Sequence, residues 1–268
     1  MNSFRMMFAF ACSTLAVGAF GAVAPDGYNV WQAVGDGLAS DAANWSLGRA
    51  PNATDAVLFD GEFSNANCEW DAAASATVAS WTQAETFTGT VTVDTSFDAY
   101  DAAFTNLVVS GNVTIAGGKL SPKTHGTATD TRYRLMMTVG GDFTVGANGK
   151  VSAAGLGRYS NSTWSGSSAH GGDCGSYNKT TGARVLFNTK DPAFGNLLAP
   201  TAVAHGAQSG TDSSSKKARG GGAIRIDVRK AFVNDGLVTA DGGAEYSASA
   251  GGGSVYVTAR DILGQGGY

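Results

Sequence analysis

Four side chains in a glycine- and serine-rich stretch of this 268-residue chain have types that commonly contact carbohydrate. Trp164, His170, Asp173 and Tyr177 all lie within residues 155–219. An aromatic side chain offers a large apolar face with a polar group at its edge, which suits it to stacking on a sugar ring. We therefore predict that this segment binds a ligand through these four residues, with Trp164 and Tyr177 making the stacking contacts.

Metal chemistry is less well supported in the same segment. His170 and Asp173 have metal-binding atoms, but two such residues three positions apart in a glycine-rich loop are more typical of a surface turn. The three histidines are not accompanied by the Gly-x-Ser-x-Gly pattern of a nucleophilic serine. The sequence predicts no metal site, no cofactor and no catalytic triad.

Sugar cleavage by hydrolysis would need a different set of residues. A glycoside hydrolase uses two carboxylates at a defined separation. The β-patterned parts of the chain contain no adjacent pair of aspartates. Asn188, Thr189 and Asp191 only loosely match an Asn-Thr-Asp motif, because Lys190 intervenes.

Cleavage by elimination would need calcium, held by several carboxylates near a basic residue. One stretch of the chain offers such residues: Asp227, Asp235, Asp241 and Glu245, with Arg225 and Arg229. However, the charged residues at 225, 227 and 229 alternate with apolar ones, which favours a solvated strand face with ion pairs between neighbouring strands. Calcium is therefore expected only if the protein is a lyase.

Cysteine usage leaves two interpretations open. Cys12 lies in a predicted export signal, so the mature chain retains Cys68 and Cys174. An even count in an exported protein is compatible with one disulfide, and it is equally compatible with two separate thiols. Neither cysteine has a Cys-x-x-Cys partner, so a zinc site is not favoured.

A repeated segment indicates the architecture that positions these residues. The run GGGAIRIDVRKAFVNDG begins at Gly220, and GGGSVYVTARDILGQGG begins at Gly251. Both runs contain three glycines followed by alternating apolar positions, as expected for parallel β-strands stacked coil on coil. The spacing of 30 to 31 residues between matching positions favours a β-helix over a propeller, whose blades need about 40 to 50 residues.

The same frame extends upstream and predicts which residues are stacked. Two further copies precede the repeated segment, and a second strand position follows each main one. The aligned sets are Thr105, Leu107, Val109, Val113; Leu135, Met137, Val139, Phe143; Ile224, Ile226, Val228, Phe232; Val255, Val257, Ala259, Leu263; and, for the second strand, Gly118, Leu120; Gly149, Val151, Ala153; Gly236, Val238, Ala240. The sequence therefore predicts an all-β, right-handed parallel β-helix.

The domain organisation follows from this frame. Residues 25–85 contain four of the five tryptophans and are predicted to form a β-rich module that caps the first coil, since an uncapped solenoid exposes apolar side chains. Residues 86–268 are predicted to form the coils. Equivalent positions Val139 and Val228 are 89 residues apart, so residues 155–219 are predicted to be a loop insertion.

The N-terminal residues are typical of an export signal. Arg5 precedes the apolar run of residues 6–20, which is too short to cross a bilayer comfortably. We expect cleavage after Gly21 or Ala24, assign residues 1–24 to the signal peptide, and expect no membrane span in the mature chain. The protein is thus predicted to be secreted or displayed at the cell surface.

The net negative charge of the chain argues against nucleic acid as a partner. The chain has 18 basic and 22 acidic residues, for a net charge of −4. Lys216, Lys217 and Arg219 form the one basic run, within a Ser/Gly-rich stretch that favours a solvated loop. We therefore expect no binding to nucleic acid.

Three segments resemble the glycine-rich right-handed β-helices of bacterial exported and surface proteins: SSAHGGDCGSY at 167–177, PAFGNLLAPTAV at 192–203 and RGGGAIRIDV at 219–228. The opening stretch, with Trp31, Asn44, Trp45, Pro51, Asp55 and Phe59, resembles the start of autotransporter-type passenger domains. The resemblance implies an exported structural or adhesive module. The fold it implies also hosts the pectinase-like superfamily, so a polysaccharide lyase or glycoside hydrolase is the alternative.

The final coil of the frame is incomplete. After Leu263 the sequence runs through Gln265 to Tyr268, where the preceding repeat continues into a further strand. Since terminal repeats are usually capped, we expect the chain to be the N-terminal part of a longer product.

Overall fold

A computed structural model of the chain describes residues 23–96, 104–124, 132–157, 175–177, 184–186, 200, 203–204, 207–208, 217–245 and 248–265. Within these residues the regular structure is β-strand, apart from one 3₁₀ helix, Ala42–Asn44, which is capped by the Asp41 carboxylate accepting from the Ala43 amide at 3.0 Å. The prediction of an all-β chain is confirmed. The predicted signal peptide lies almost wholly outside the described residues.

The strands are short and rich in valine and threonine, whose branched side chains suit extended backbone. Before the insertion they are β1 Tyr28–Val30, β2 Gly37–Leu38, β3 Ala56–Phe59, β4 Cys68–Trp70, β5 Thr77–Val78, β6 Ser80–Gln83, β7 Thr90–Val93, β8 Leu107–Val109, β9 Val113–Ile115, β10 Lys119–Pro122, β11 Leu135–Val139, β12 Phe143–Val145 and β13 Lys150–Ser152. Then follow β14 Gly175–Tyr177, β15 Arg184–Leu186, β16 Ala207–Gln208, β17 Lys217–Ala218, β18 Ala223–Val228, β19 Ala231–Asn234, β20 Leu237–Thr239, β21 Ala244–Glu245, β22 Ala248–Ser249, β23 Ser254–Thr258 and β24 Asp261–Leu263.

Three parallel sheets contain most of these strands. Sheet 1 has the order β1-β3-β6-β9-β12-β19-β24, sheet 2 the order β2-β4-β7-β10-β13-β20, and sheet 3 the order β23-β18-β11-β8-β5. From β3 onward the chain visits sheets 1, 2 and 3 in turn, and each strand pairs with the strand reached one circuit later. The parallel sheets and this cyclic order are compatible with a β-solenoid.

The pairing confirms most of the repeat frame. Leu135, Met137 and Val139 pair with Ile224, Ile226 and Val228 in sheet 3, although 89 residues separate the two strands. The earlier copy at Leu107, Val109 and Val113 and the second strand positions at residues 120, 151 and 238 also pair as predicted.

The predicted match of Leu263 with Phe232 is wrong by one residue. Phe232 pairs with Ile262, and Leu263 pairs with Val233. The two preceding strands keep a separation of 31 residues, as in the pair Asp227 and Thr258. The turn that leads into β24 is therefore one residue shorter than the turn that leads into β19.

Inward-facing apolar side chains form one continuous core. In β9 and β12 the first and third residues are buried and the middle threonine is only half-buried, as period-2 alternation requires. One inward column in sheet 1 consists of Val57, Trp81, Val113, Phe143 and Phe232, each at most 6% exposed. Stacking such columns removes apolar surface from water, which is the main favourable contribution to folding.

The stretch predicted to be a cap contains strands of the same three sheets. Trp31, Trp45, Trp70 and Trp81 are all buried, and the rings of Trp70 and Trp81 have centroids 4.9 Å apart. Trp45 forms an antiparallel bridge to Trp31, which places its segment on the free edge of β1. A segment there covers the first coil, as a cap should. The boundary at residue 85 stays a prediction, because β4 and β6 pair across it with β7 and β9.

Membrane-spanning helices were sought in the part of the chain that the structure describes. No helix there is long and apolar enough to cross a bilayer.

Candidate functional site

The predicted ligand-binding residues lie in the insertion, of which the structure describes short pieces. Trp164, His170 and Asp173 lie outside the described residues. Tyr177 is the last residue of β14, which pairs antiparallel with β15 and places Tyr177 opposite Arg184. The role of these four residues in ligand binding stays a prediction.

The insertion is anchored at one corner of the coil. At its start, the Gly157 amide donates to the Gly220 carbonyl at 2.7 Å, and near its end the Ala204 amide donates to the Gly221 carbonyl at 2.8 Å. Val203 and Ala204 are at most 2% exposed. The coil closes without a break beneath it, since β13 pairs directly with β20. The two described ends of the insertion therefore lie at a single corner of the stack.

The glycines at this corner are required by close backbone packing. A Cβ atom on Gly221 would lie 1.8 Å from the Ala240 carbonyl oxygen, and one on Gly157 would lie 2.3 Å from the Gly221 carbonyl oxygen. Both separations are far shorter than van der Waals contact. Gly221, in the middle of the glycine run at residues 220–222, is therefore required by the approach of successive coils.

The charged strand β18 has the solvated outer face that its alternation predicts. The prediction that its charged residues form ion pairs with neighbouring strands is wrong. Arg225 and Asp227 pair with each other within the strand, with Arg225 Nε 3.0 Å from Asp227 Oδ2, rather than with charges on neighbouring coils. The contacts to the next coil are of other kinds. Thr258 Oγ1 donates to Asp227 Oδ1 at 2.7 Å, and the Arg225 guanidinium lies 5.8 Å from the centre of the Tyr256 ring.

Two of the other carboxylates considered for calcium, those of Asp235 and Asp241, have separate structural contacts. Asp235 Oδ1 accepts from the Gln265 amide at 2.9 Å, and Asp241 accepts from the Thr239 hydroxyl. The described residues contain no group of three His, Cys, Asp or Glu side chains arranged to hold a metal ion. Asn188, Thr189 and Asp191 lie outside these residues.

A cluster of three charged residues centred on Lys123, beside strands β4, β7 and β10 of sheet 2, was not predicted from the sequence. Lys123 Nζ donates to Glu69 Oε1 at 2.8 Å and to Asp94 Oδ2 at 2.9 Å. Burial alone would lower the pKa of Lys123, but the hydrogen bonds to both carboxylates outweigh burial and raise that pKa above its usual value. Lys123 is therefore a charged link between neighbouring coils. Its ammonium cannot act as a base at neutral pH.

Cys68 is buried in β4, and the described residues contain no disulfide partner for it. Burial raises the pKa of this thiol well above its usual value, and the charges of Asp71 and Glu69 act in the same direction. A thiol in this environment is a poor nucleophile. Cys174 lies outside the described residues, so the disulfide between the two cysteines stays a prediction.

The chain was compared with known protein families, with curated proteins and with solved structures, and no match was found.

Proposed function

We propose that this protein is an exported right-handed parallel β-helix that acts as a structural or adhesive surface module. The observation that carries the proposal is the continuity of the coil beneath the insertion. Val139 and Val228 pair directly although the chain departs and returns between them. A rigid stack to which both ends of one long segment are anchored is suited to presenting a binding loop.

Handedness is supported by a general property of parallel sheets. A connection between parallel strands of one sheet is right-handed in nearly every known case, because the twist of the strands favours that hand. Each circuit of this chain makes such connections in all three sheets. The export part of the proposal rests on the predicted signal peptide of residues 1–24.

Carbohydrate is the ligand class that the insertion supports best. Trp164 and Tyr177 supply rings for stacking, while His170 and Asp173 supply hydrogen-bonding groups for hydroxyls. The long segment is anchored at both ends, so a ligand-binding conformation of it would be held against the coil. A host or cell-wall glycan is the proposed partner.

The test is a glycan-binding screen of the mature chain and of the double variant Trp164→Ala, Tyr177→Ala. We expect the parent to retain a subset of glycans and the double variant to lose at least tenfold in affinity for them. Tyr28→Ala is the matched control, because Tyr28 is a half-buried aromatic in β1 at the far end of the stack.

Two outcomes would contradict the proposal. Equal glycan binding by the parent and the double variant would show that the insertion is not the binding segment. Release of new reducing ends or unsaturated products from the bound glycans, with or without calcium, would instead favour the competing hydrolase or lyase function.

A further inference from the structure

A shallow groove of about 350 Å³ follows the corner between sheets 3 and 1, away from the insertion. One wall is a row of outward-facing side chains from four paired strands: Val108, Thr138, Asp227 and Thr258. Three strand spacings separate the first from the last, so the row is about 14 Å long. That length suits a short linear oligomer rather than a compact small molecule.

The second wall is the row of turn residues that follows these strands. The Gly140 amide donates to the Val109 carbonyl and the Arg229 amide to the Val139 carbonyl, each at 2.8 Å, so Ser110, Gly140 and Arg229 continue the ladder. Gly140 cannot have a side chain, because a Cβ there would lie 2.2 Å from the Ser110 carbonyl oxygen. Because Gly140 has no side chain, a notch remains between Ser110 and the long Arg229 side chain.

The groove lining has one carboxylate, that of Asp227, and one guanidinium, that of Arg229. Both oxygens of the Asp227 carboxylate are occupied, one by Arg225 and the other by the Thr258 hydroxyl. Arg229 and Lys230 are exposed, and the described residues provide no ion pair for either of them. Arg260, 69% exposed, lies one coil further along the same corner, beside Asp261. An anionic ligand would find an unpaired guanidinium here.

The rest of the lining suits the face of a sugar. Val108 and Thr138 are neighbours at one end of the row, and Asp227 separates them from Thr258, whose hydroxyl already donates to Asp227. The Thr138 hydroxyl can both donate and accept. Thr138 Oγ1 already accepts from Asn106 Nδ2 at 3.0 Å, which leaves its own hydrogen available. A linear oligosaccharide whose sugar units each present C–H groups, hydroxyls and one carboxylate would complement this surface.

We propose that this corner groove is a second glycan site, which binds an acidic oligosaccharide along the coil axis with a carboxylate on Arg229. The inference rests on the proposed function, since it assumes that the module meets glycans. It differs in location, because none of its residues belongs to the insertion.

The test is calorimetric titration of the mature chain with alginate hexasaccharide and with maltohexaose as the neutral match. We expect binding of the acidic probe, weakening with added salt because exposed charges are screened. Arg229→Gln should weaken binding at least tenfold, and Thr138→Glu should do the same by placing a negative charge in the groove. Lys150→Gln, an exposed charge removal on sheet 2, should leave binding unchanged.

The variants also separate this site from the insertion. Trp164→Ala, Tyr177→Ala should retain alginate binding if the groove is the site. Unchanged binding by Arg229→Gln and Thr138→Glu, loss of binding in the insertion variant alone, equal binding of maltohexaose, or no binding of alginate by the parent would each overturn the groove proposal. Thermal denaturation of Arg229→Gln and Thr138→Glu should match the parent, because both residues are exposed.

Discussion

At the scale of single residues, Asp55 shows how a carboxylate is accommodated near the core. Asp55 is 8% exposed, and its oxygens accept from Arg49 at 2.5 and 2.7 Å and from the Asn52 amide at 2.9 Å. The Arg49 hydrogen bonds lower the pKa of Asp55 below its ordinary value of 3.8, against the opposing effect of burial. The ionised form is therefore the stabilising one.

This pKa shift predicts a pH dependence of stability. Because the folded pKa is depressed, the contribution of Asp55 is complete above the unfolded value of 3.8 and is lost as pH falls through the folded value. Asp55→Asn should lower the urea midpoint at neutral pH, and the difference from the parent should shrink in acid below that range. The exposed Asp26→Asn is the control, for which no such difference is expected. A gap between parent and Asp55→Asn that is as large in acid as at neutral pH would contradict this account.

Some residue-scale features could not be predicted from the sequence. Gln83 is fully buried, and neither of its amide atoms has a hydrogen-bond partner, although a polar residue in a strand usually faces solvent. Lys123 contacts Asp94 and Glu69, which precede it in the chain by 29 and 54 positions. Such contacts depend on the stacking of coils, which local pattern does not specify.

At the scale of elements, alternation within a strand predicted the core of the central strands, whereas Val255 and Leu263 in β23 and β24 are 41% and 56% exposed. Every apolar position assigned to the interior of β11, β12 and β18 is buried. The shift of Leu263 has a different origin, because period-2 alternation fixes the register inside a strand but not the length of the turn before it. The error therefore lies between strands rather than within one.

Substitutions on the two faces of β12 should differ sharply. Phe143 is fully buried, and its ring centroid lies 5.6 Å from that of Phe232. Phe143→Ala should lower the free energy of unfolding by about 3 to 5 kcal/mol. The neighbouring Thr144→Ala, on the outer face, should change it by about 0.5 kcal/mol or less. Urea denaturation would measure both, and similar losses for the two variants would argue against the assigned faces.

At the scale of the whole molecule, the repeat is clear only where the coils are even in length. Coils after residue 86 repeat at about 30 residues, and the sequence predicted them. Among residues 25–85 the paired Val57 and Trp81 are 24 apart, whereas Gly37 and Cys68 are 31 apart. Uneven coils hide the period, so the repeat frame was not traced into residues 25–85, although strands of the same three sheets lie there.

The central claim is that one continuous coil passes beneath the insertion. Gly157 and Ala204 lie against each other, since a Cβ on Gly157 would be 2.6 Å from the Ala204 carbonyl oxygen. A short Gly/Ser linker in place of residues 158–202 should therefore span the gap without strain.

The most direct measurement is the thermal denaturation of this shortened chain, followed by circular dichroism beside the parent. The account predicts the same β-type spectrum and one cooperative transition within a few degrees of the parent. An unfolded spectrum, or loss of the cooperative transition, would show that residues 158–202 are part of the core and would contradict the continuous coil.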